Sequence, residues 1–211
     1  MSDILSKKKR GFIFILLFSF FFEGFLYSDL KEYVFKPLRN KIRYKEEFFR
    51  LYNEWLYKDL DSTSRNIYFL ELAYVVPFDH PIRALVPITN EVQYERYKNL
   101  LMMHITLMLT KEYINYGYMY MKENIYFFND EFKKEYLMGY DIAEFYFESA
   151  RKYWKEAINF AIMADEVKGY RIPLEYIEDE LYRIKTMDLN YDKVIDNLIE
   201  RINRNREKIR G

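Results

Sequence analysis

Apolar side chains that recur every three or four residues dominate this sequence. One series runs through Tyr94, Tyr97, Leu101 and Met108, and this spacing places the side chains on one face of an α-helix. Glycine and proline, which interrupt helices, number only six and five among 211 residues. The sequence therefore predicts an all-α fold, with helical hairpins packed as a bundle or as a short solenoid.

Capping residues and prolines set the expected helix boundaries. Asn90 is a good N-cap, and the helical pattern continues from it for about thirty residues. Three prolines make residues 76–89 a bent connector, because proline cannot donate a helical hydrogen bond. Residues 132–167 lack proline and predict either one long helix or two helices joined by a tight turn. The other helices are expected over residues 41–60, 62–75, 174–187 and 191–208.

Residues 1–28 have the pattern of a secretory signal. Cations from Lys7 to Arg10 precede an apolar run from Gly11 to Phe22. This run of about a dozen residues fits a signal sequence and is shorter than the roughly 20 residues of a membrane-spanning helix. We predict cleavage after Ser28. The alternatives are an uncleaved membrane anchor from Gly11 to Ser28 and a core helix of a soluble protein.

Cleavage and anchoring place the rest of the chain in the same compartment. Both put residues 29–211 across the membrane, so we expect a periplasmic protein that is either soluble or tethered to the inner membrane by residues 11–28. The predicted organisation has three parts. They are a signal peptide or anchor over residues 1–28, N-terminal helices with the proline-rich connector over residues 29–89, and a helical-hairpin region over residues 90–211.

Composition argues against several classes of function. The chain has 33 basic and 33 acidic residues, so it lacks the basic field of a typical nucleic-acid-binding protein, and we expect no nucleic-acid partner. Cysteine is absent, which excludes disulfides, thiolate metal sites and a cysteine nucleophile. The two histidines do not have the spacing of a metal-binding motif. We therefore expect no cofactor, no metal and no catalytic residue, and hence a protein that is not an enzyme.

The histidines and the paired carboxylates have structural interpretations. His104 lies on the apolar stripe of a predicted helix, where we expect a hydrogen-bonded core or interface residue. His80 lies in the proline-rich connector, where we expect a turn residue. The acidic groups at residues 46–47, 130–131 and 178–180 lie where a solvated helix face or a first helical turn favours negative charge.

Aromatic side chains are unusually abundant, with 22 tyrosines and 18 phenylalanines. Many crowd residues 113–154, and consecutive helical positions point in different directions, so these side chains cannot all enter one core. Tyrosine and tryptophan are enriched at binding hot spots. The predicted interface consists of Tyr113, Tyr116, Tyr118, Tyr120, Tyr140, Tyr146, Tyr153 and Trp154. The alternative is a thick aromatic core, with part of the tyrosine excess due to an AT-rich genome.

One stretch resembles a tetratricopeptide repeat, a helix–turn–helix unit of about 34 residues. Residues 132–165 have the length of one unit, and Ala150, Trp154 and Ala157 match the small–aromatic–small pattern of its second helix. Residues 113–120 resemble the first helix of another unit. The resemblance implies a protein-binding scaffold without chemistry of its own. Composition and layout are also similar to those of the collar proteins around spirochaete periplasmic flagella.

The export segment, the helical fold and the aromatic crowding lead to one functional prediction. We expect an exported scaffold that acts through protein–protein contacts in a cell-envelope assembly, with a flagellum-associated machine as a candidate. Its expected partners are other envelope proteins or further copies of the chain. The alternative is a periplasmic helical module that binds a small apolar ligand or a lipid between its helices.

Overall fold

A computed structural model describes residues 43–58, 63–122, 130–167 and 172–210. Within these ranges the backbone forms six α-helices and two short 3-10 helices and contains no β-strand, which confirms the predicted all-α class. The predicted signal or anchor segment, residues 1–28, lies outside the described ranges. None of the described helices is both long enough and apolar enough to cross a membrane.

The helices begin and end within a few residues of the predicted boundaries. Asn90 caps the third helix as predicted, and its Oδ1 accepts a hydrogen bond of 2.8 Å from the amide of Gln93. The connector that precedes it contains one 3-10 turn, Pro81–Arg83, and a second such turn, Asp130–Phe132, leads into the fourth helix. The six helices are α1 (Lys45–Lys58), α2 (Thr63–Val75), α3 (Glu91–Tyr120), α4 (Lys133–Glu166), α5 (Glu175–Lys185) and α6 (Tyr191–Arg210).

Helix α3 is the centre of the fold. Every residue from Leu100 to Thr110 is buried, and a helix that is buried around its whole circumference needs neighbours on all sides. Helix α4 packs along α3, while α1, α2 and α5 contact its other sides. Full burial of one large aliphatic side chain stabilises a fold by about 1.5–3 kcal/mol. Among the described helices, α3 as a whole has the most buried apolar residues.

Helices α3 and α4 run antiparallel and approach each other closely. Gly117 of α3 faces the ring of Phe147 and the carbonyl oxygen of Ala143 on α4. Farther along the pair, Gly139 of α4 faces the carbonyl oxygen of Tyr120 on α3. Small residues at these contact points allow two helix backbones to come together. The two glycines therefore mark positions where the hairpin has no room for a side chain.

Helix α4 is continuous over its 34 residues, which decides between the two alternatives for residues 132–167. A repeat unit needs a turn within this stretch, so the helix–turn–helix unit implied by the resemblance is not formed there. Gly139 is tolerated inside the helix, at a cost of about 1 kcal/mol. Ala150, Trp154 and Ala157 are buried. Their spacing therefore reflects close packing against neighbouring helices.

Helix α6 packs against α4 through an apolar face with charged borders. Arg151 of α4 pairs with Asp196 at 2.8 Å, and Arg206 of α6 pairs with Asp141 at 2.6 Å. Exposed ion pairs stabilise a protein by less than about 1 kcal/mol. The attachment of α6 therefore depends mainly on its buried residues, which are Ile195, Leu198, Ile202, Asn205 and Ile209.

Helix α5 is short, and charge makes a large contribution to its attachment. It has 11 residues, and a helix of this length is only marginally stable by itself in water. Its buried aliphatic side chains are Ile177 and Leu181. Arg96 of α3 donates two hydrogen bonds to Glu178, from Nη2 to Oε2 at 2.6 Å and from Nε to Oε1 at 3.1 Å. The structure of α5 therefore depends on its contact with α3.

We predict that Gly117→Ala lowers the free energy of unfolding by about 1–2 kcal/mol. Alanine improves helix propensity by about 1 kcal/mol, but its Cβ would lie 2.5 Å from Cε1 of Phe147. That ring is buried and cannot swing away, so overpacking by about 1–3 kcal/mol outweighs the gain. Urea unfolding followed by circular dichroism measures the change.

Asn115→Ala is the matched control, because Asn115 is exposed on the same helix and alanine should there be neutral or stabilising. The double variant Gly117→Ala with Phe147→Leu should lose less stability than the sum of the two single changes. A Gly117→Ala chain as stable as the wild type would show that α3 and α4 are not in contact at this position.

Candidate functional site

The structure places most of the predicted interface residues in the core. Tyr118 is exposed, with 38% of its surface accessible, and Tyr120 and Tyr153 are half-buried. The five buried residues are Tyr113, Tyr116, Tyr140, Tyr146 and Trp154. A buried side chain offers no surface to a partner, so direct contact is left to Tyr118, Tyr120 and Tyr153. For these three residues the interface stays a prediction.

Five of the eight predicted interface residues form a tyrosine cluster between α3 and α4. They are Tyr113, Tyr116, Tyr120, Tyr146 and Tyr153. The ring of Tyr113 stacks on Tyr153, with centroids 5.4 Å apart, and on Tyr146 at 6.1 Å. Tyr146 also stacks on Tyr120 at 5.9 Å and meets Tyr116 edge-on at 4.7 Å. Such aromatic pairs contribute about 0.5–1.5 kcal/mol each beyond their burial. The tyrosine cluster therefore stabilises the α3–α4 hairpin.

The hydroxyl groups of the tyrosine cluster also attach α2. Glu71 of α2 accepts hydrogen bonds from the hydroxyls of Tyr113 and Tyr153, the second at 3.3 Å. Burial, followed by the charge of Glu71, raises the pKa of Tyr153. Burial and a hydrogen bond with Tyr120 raise the pKa of Tyr116 to about 12. These phenols therefore stay protonated at neutral pH and act as hydrogen-bond donors.

Tyr140 and Trp154 connect α4 to other parts of the fold. The Tyr140 hydroxyl donates to the carbonyl oxygen of Lys122, just beyond α3, at 2.9 Å. The Trp154 indole donates to Asp192 of α6 at 3.2 Å and packs edge-on against Tyr191 with ring centroids 5.4 Å apart. Both side chains thus satisfy their polar atoms inside the protein, as buried Tyr and Trp usually do.

The exposed end of α3 is formed by Tyr118, which is the most exposed of the predicted interface residues, and by its neighbour Met119. Met119 is 67% exposed. The Tyr118 ring meets the buried Phe147 edge-on, with centroids 5.9 Å apart. This contact holds the aromatic ring in place while part of it faces solvent. A rigid, partly exposed aromatic side chain is the kind of anchor that dominates many protein–protein interfaces.

Several buried charged residues around α3 were not identified from the sequence. Glu46 and Glu180 were expected on a solvated helix face or in a first helical turn, and both are buried, as are Lys45 and Glu112. Glu46 does lie in the first turn of α1, whereas the prediction is wrong for Glu180, which is buried beyond the first turn of α5. Neighbouring segments supply the donors that replace water at both carboxylates. No signal in the sequence indicates the burial of Glu112, because the same helix also carries an exposed carboxylate at Glu95.

Lys45 and Glu46 fasten the connector and α2 to the start of α1. Glu46 accepts the Tyr97 hydroxyl at 3.1 Å and the Asp79 amide at 3.0 Å. The Nζ of Lys45 donates to the carbonyl oxygen of Ala73 in the last turn of α2 at 2.6 Å, where a cation is favourable. Burial lowers the pKa of Lys45 to about 8, although the charge of Glu46 acts in the opposite direction.

Glu112 forms a buried polar contact between α1, α2 and α3. The Tyr52 hydroxyl of α1 donates to Oε1 of Glu112 at 3.2 Å, and Nδ2 of Asn66 on α2 donates to the same atom at 3.4 Å. Burial raises the pKa of Glu112, and the two hydrogen bonds oppose this effect. Within the described part of the chain, Oδ1 of Asn66 has no hydrogen-bond partner.

His104 connects α3 to α5, and it is the hydrogen-bonded core residue that the sequence predicts. Its Nδ1 lies 2.5 Å from Oε2 of Glu180, and because a carboxylate accepts, Nδ1 carries the proton. Phe49 and Tyr176 meet the imidazole edge-on. Lys111 Nζ lies 3.4 Å from the other oxygen of Glu180. Glu180 thus receives two donors from α3.

The geometry at the other histidine is that of a turn. Nδ1 of His80 accepts the amide of Ile82 at 3.3 Å, at the start of the 3-10 turn. The Asp79 carboxylate accepts the backbone amide of His80 at 2.7 Å, so this hydrogen bond does not orient the imidazole for acid–base chemistry. Across residues 43–58, 63–122, 130–167 and 172–210, no three His, Asp or Glu side chains are grouped to hold a metal ion.

Comparison with known proteins identifies one family. A family model described as a domain of unknown function, DUF8513, matches residues 92–211, which is more than half of the chain. The chain therefore belongs to this family. The matched region covers α3 to α6, whereas α1 and α2 precede it. No curated protein and no solved structure matches the chain.

We predict that Glu112→Gln is neutral or stabilising at pH 7. Burial raises the pKa of Glu112 above its ordinary value of 4.5, so the folded state holds this proton more tightly than the unfolded state does. The stabilising effect of protonated Glu112 is complete below pH 4.5 and is lost as the pH rises through the folded-state pKa. The free energy of unfolding of the wild type, relative to the variant, should therefore fall as the pH rises above 4.5.

Urea unfolding at several pH values measures this difference. Glu207→Gln is the control, because Glu207 is exposed on α6 and its substitution should leave the pH dependence unchanged. In Glu112→Gln the new amide can donate to Oδ1 of Asn66. A wild type that gains stability relative to the variant as the pH rises, or a variant that is less stable by more than about 2 kcal/mol at pH 7, would show that Glu112 is a stabilising charged group. A difference that does not vary with pH would contradict the raised pKa.

Proposed function

We propose that this member of the DUF8513 family is a non-enzymatic, exported scaffold that acts through protein–protein contacts in a cell-envelope assembly. The observation that carries the proposal is the exposed end of α3. Tyr118 and Met119 present apolar surface at the end of the most deeply buried helix. Preorganised anchors bind with a small loss of conformational entropy, and the contact of the Tyr118 ring with the buried Phe147 provides that preorganisation.

Packing between α3 and α4 favours the scaffold over the alternative, a carrier of a small apolar ligand. A carrier needs open space between its helices. At this hairpin the tyrosine cluster occupies the space with rings 4.7–6.1 Å apart, and Gly117 leaves no room beside Phe147. The internal hydrogen bonds of Glu46, Glu112 and Glu180 also fit a structural role for the buried carboxylates.

The proposed export to the periplasm is inferred from the sequence pattern of residues 1–28, which has a basic start, an apolar run and Ser28 at its end. The proposed partners are other envelope proteins or further copies of the chain, and the protein touches the membrane through residues 11–28 if these are retained. The proposed association with a flagellum is based on similarity of composition and layout to spirochaete collar proteins.

Tyr118→Ala tests the proposal. We expect it to reduce recovery of partner proteins at least about tenfold when the tagged protein is purified from envelopes of its native host, because loss of an aromatic anchor commonly costs 2 kcal/mol or more of binding free energy. Helicity, measured by circular dichroism, should not change. Quantitative mass spectrometry of the purified complexes measures recovery.

Tyr182→Ala is the matched control, since Tyr182 is also exposed, at 62%, but lies on α5. It should retain partner recovery. Tyr146→Ala is unsuitable as an interface variant, because Tyr146 is buried and its truncation would open a cavity in the tyrosine cluster. Equal recovery by the wild type and Tyr118→Ala would contradict a partner site at the exposed end of α3.

A further inference from the structure

Three nitrogen-bearing side chains of α3 hold α5 in place. Arg96, His104 and Lys111 are eight and seven residues apart, about two helical turns each, so they lie along one side of α3. Arg96 contacts Glu178, and the other two contact Glu180. We name this set the α5 site. The α5 site is complementary in charge to two carboxylates that are two residues apart on one helix, as Glu178 and Glu180 are on α5.

Few buried apolar side chains contribute to this contact. Ile177 and Leu181 are the buried aliphatic residues of α5, whereas Tyr176 and Tyr182 are 64% and 62% exposed. The helix is too short to be more than marginally stable without its neighbours. Elements with few buried apolar contacts open locally at a lower free energy than the core. Helix α5 therefore has the properties of an element that can separate from α3 while the rest of the fold stays intact.

We propose that α5 is a releasable helix, and that the α5 site binds an acidic amphipathic helix of a partner protein when α5 is released. The partner helix would carry two carboxylates two residues apart with an aliphatic residue on either side, as Ile177, Glu178, Glu180 and Leu181 do in α5. Charge complementarity selects this partner. While α5 is packed against α3, it occupies the α5 site and blocks access of the partner. This proposal depends on the proposed scaffold function in one respect, namely that a partner protein exists.

Cysteine labelling tests release of α5, because the natural chain has no cysteine. Ile177→Cys places a thiol on the buried face of α5, and its reaction rate with an aromatic disulfide reagent reports how often α5 opens. Ile202→Cys places a thiol in the buried face of α6 and reports detachment of α6 or opening of the whole fold. Both reporters are measured with and without the double change Glu178→Gln and Glu180→Gln.

The double change should accelerate labelling at position 177 at least about tenfold, because it removes the charge from the hydrogen bonds that hold α5. Labelling at position 202 should change by less than about twofold. Asp179→Asn is the control, since Asp179 is exposed between the two carboxylates, and it should leave both rates unchanged. Release of α5 would be contradicted if the labelling rate at position 177 were the same with and without the double change. It would also be contradicted if the double change accelerated labelling equally at positions 177 and 202.

A synthetic peptide of residues 172–190 tests binding at the α5 site in the full-length protein. By fluorescence anisotropy, the labelled peptide should bind the double variant at least about tenfold more tightly than the wild type, whose own α5 competes. A peptide with Gln at positions 178 and 180 should not bind. Absence of peptide binding despite rapid labelling at position 177 would overturn the partner site. Both assays use purified protein, so their result is independent of partner recovery from envelopes.

Discussion

The burial of α3 on all sides is the constraint on which the rest of the structure depends. A helix with eleven consecutive buried residues, Leu100 to Thr110, is stable only inside a shell of other helices. The closest of these is α4, which approaches at Gly117 and Phe147. Since α4 in turn carries α6, a change in the α3–α4 contact would displace α6 as well.

Buried polar residues determine which helix occupies each side of α3. Tyr97 reaches Glu46 of α1, Glu112 reaches Tyr52 of α1 and Asn66 of α2, and His104 reaches Glu180 of α5. Removing one partner from such a pair is strongly destabilising, because the other is left buried without a hydrogen bond. Each pair joins α3 to a particular neighbour, so these buried donors and acceptors are satisfied in the observed arrangement.

The sequence predicts the helices well because periodicity and capping are local properties, as at Asn90. It does not predict which tyrosines are buried, since that depends on helices distant in sequence, such as α2 with Glu71 or α6 with Asp192. The burial of Glu46 was missed for the same reason. The small–aromatic–small pattern around Trp154 is ambiguous, because any two helices in close contact can use it. Only the continuity of α4 distinguishes this packing from a repeat unit.

The central functional claim is that a rigid helical body meets its partners outside the cytosol through the exposed end of α3. Site-specific photo-crosslinking in living cells of the native host tests it most directly, with the photoreactive residue placed at position 118 and, for comparison, at position 182. Mass spectrometry of the products should show exported envelope proteins, or a second copy of the chain, enriched at position 118. Crosslinks to cytosolic proteins, or the same products at both positions, would contradict the claim.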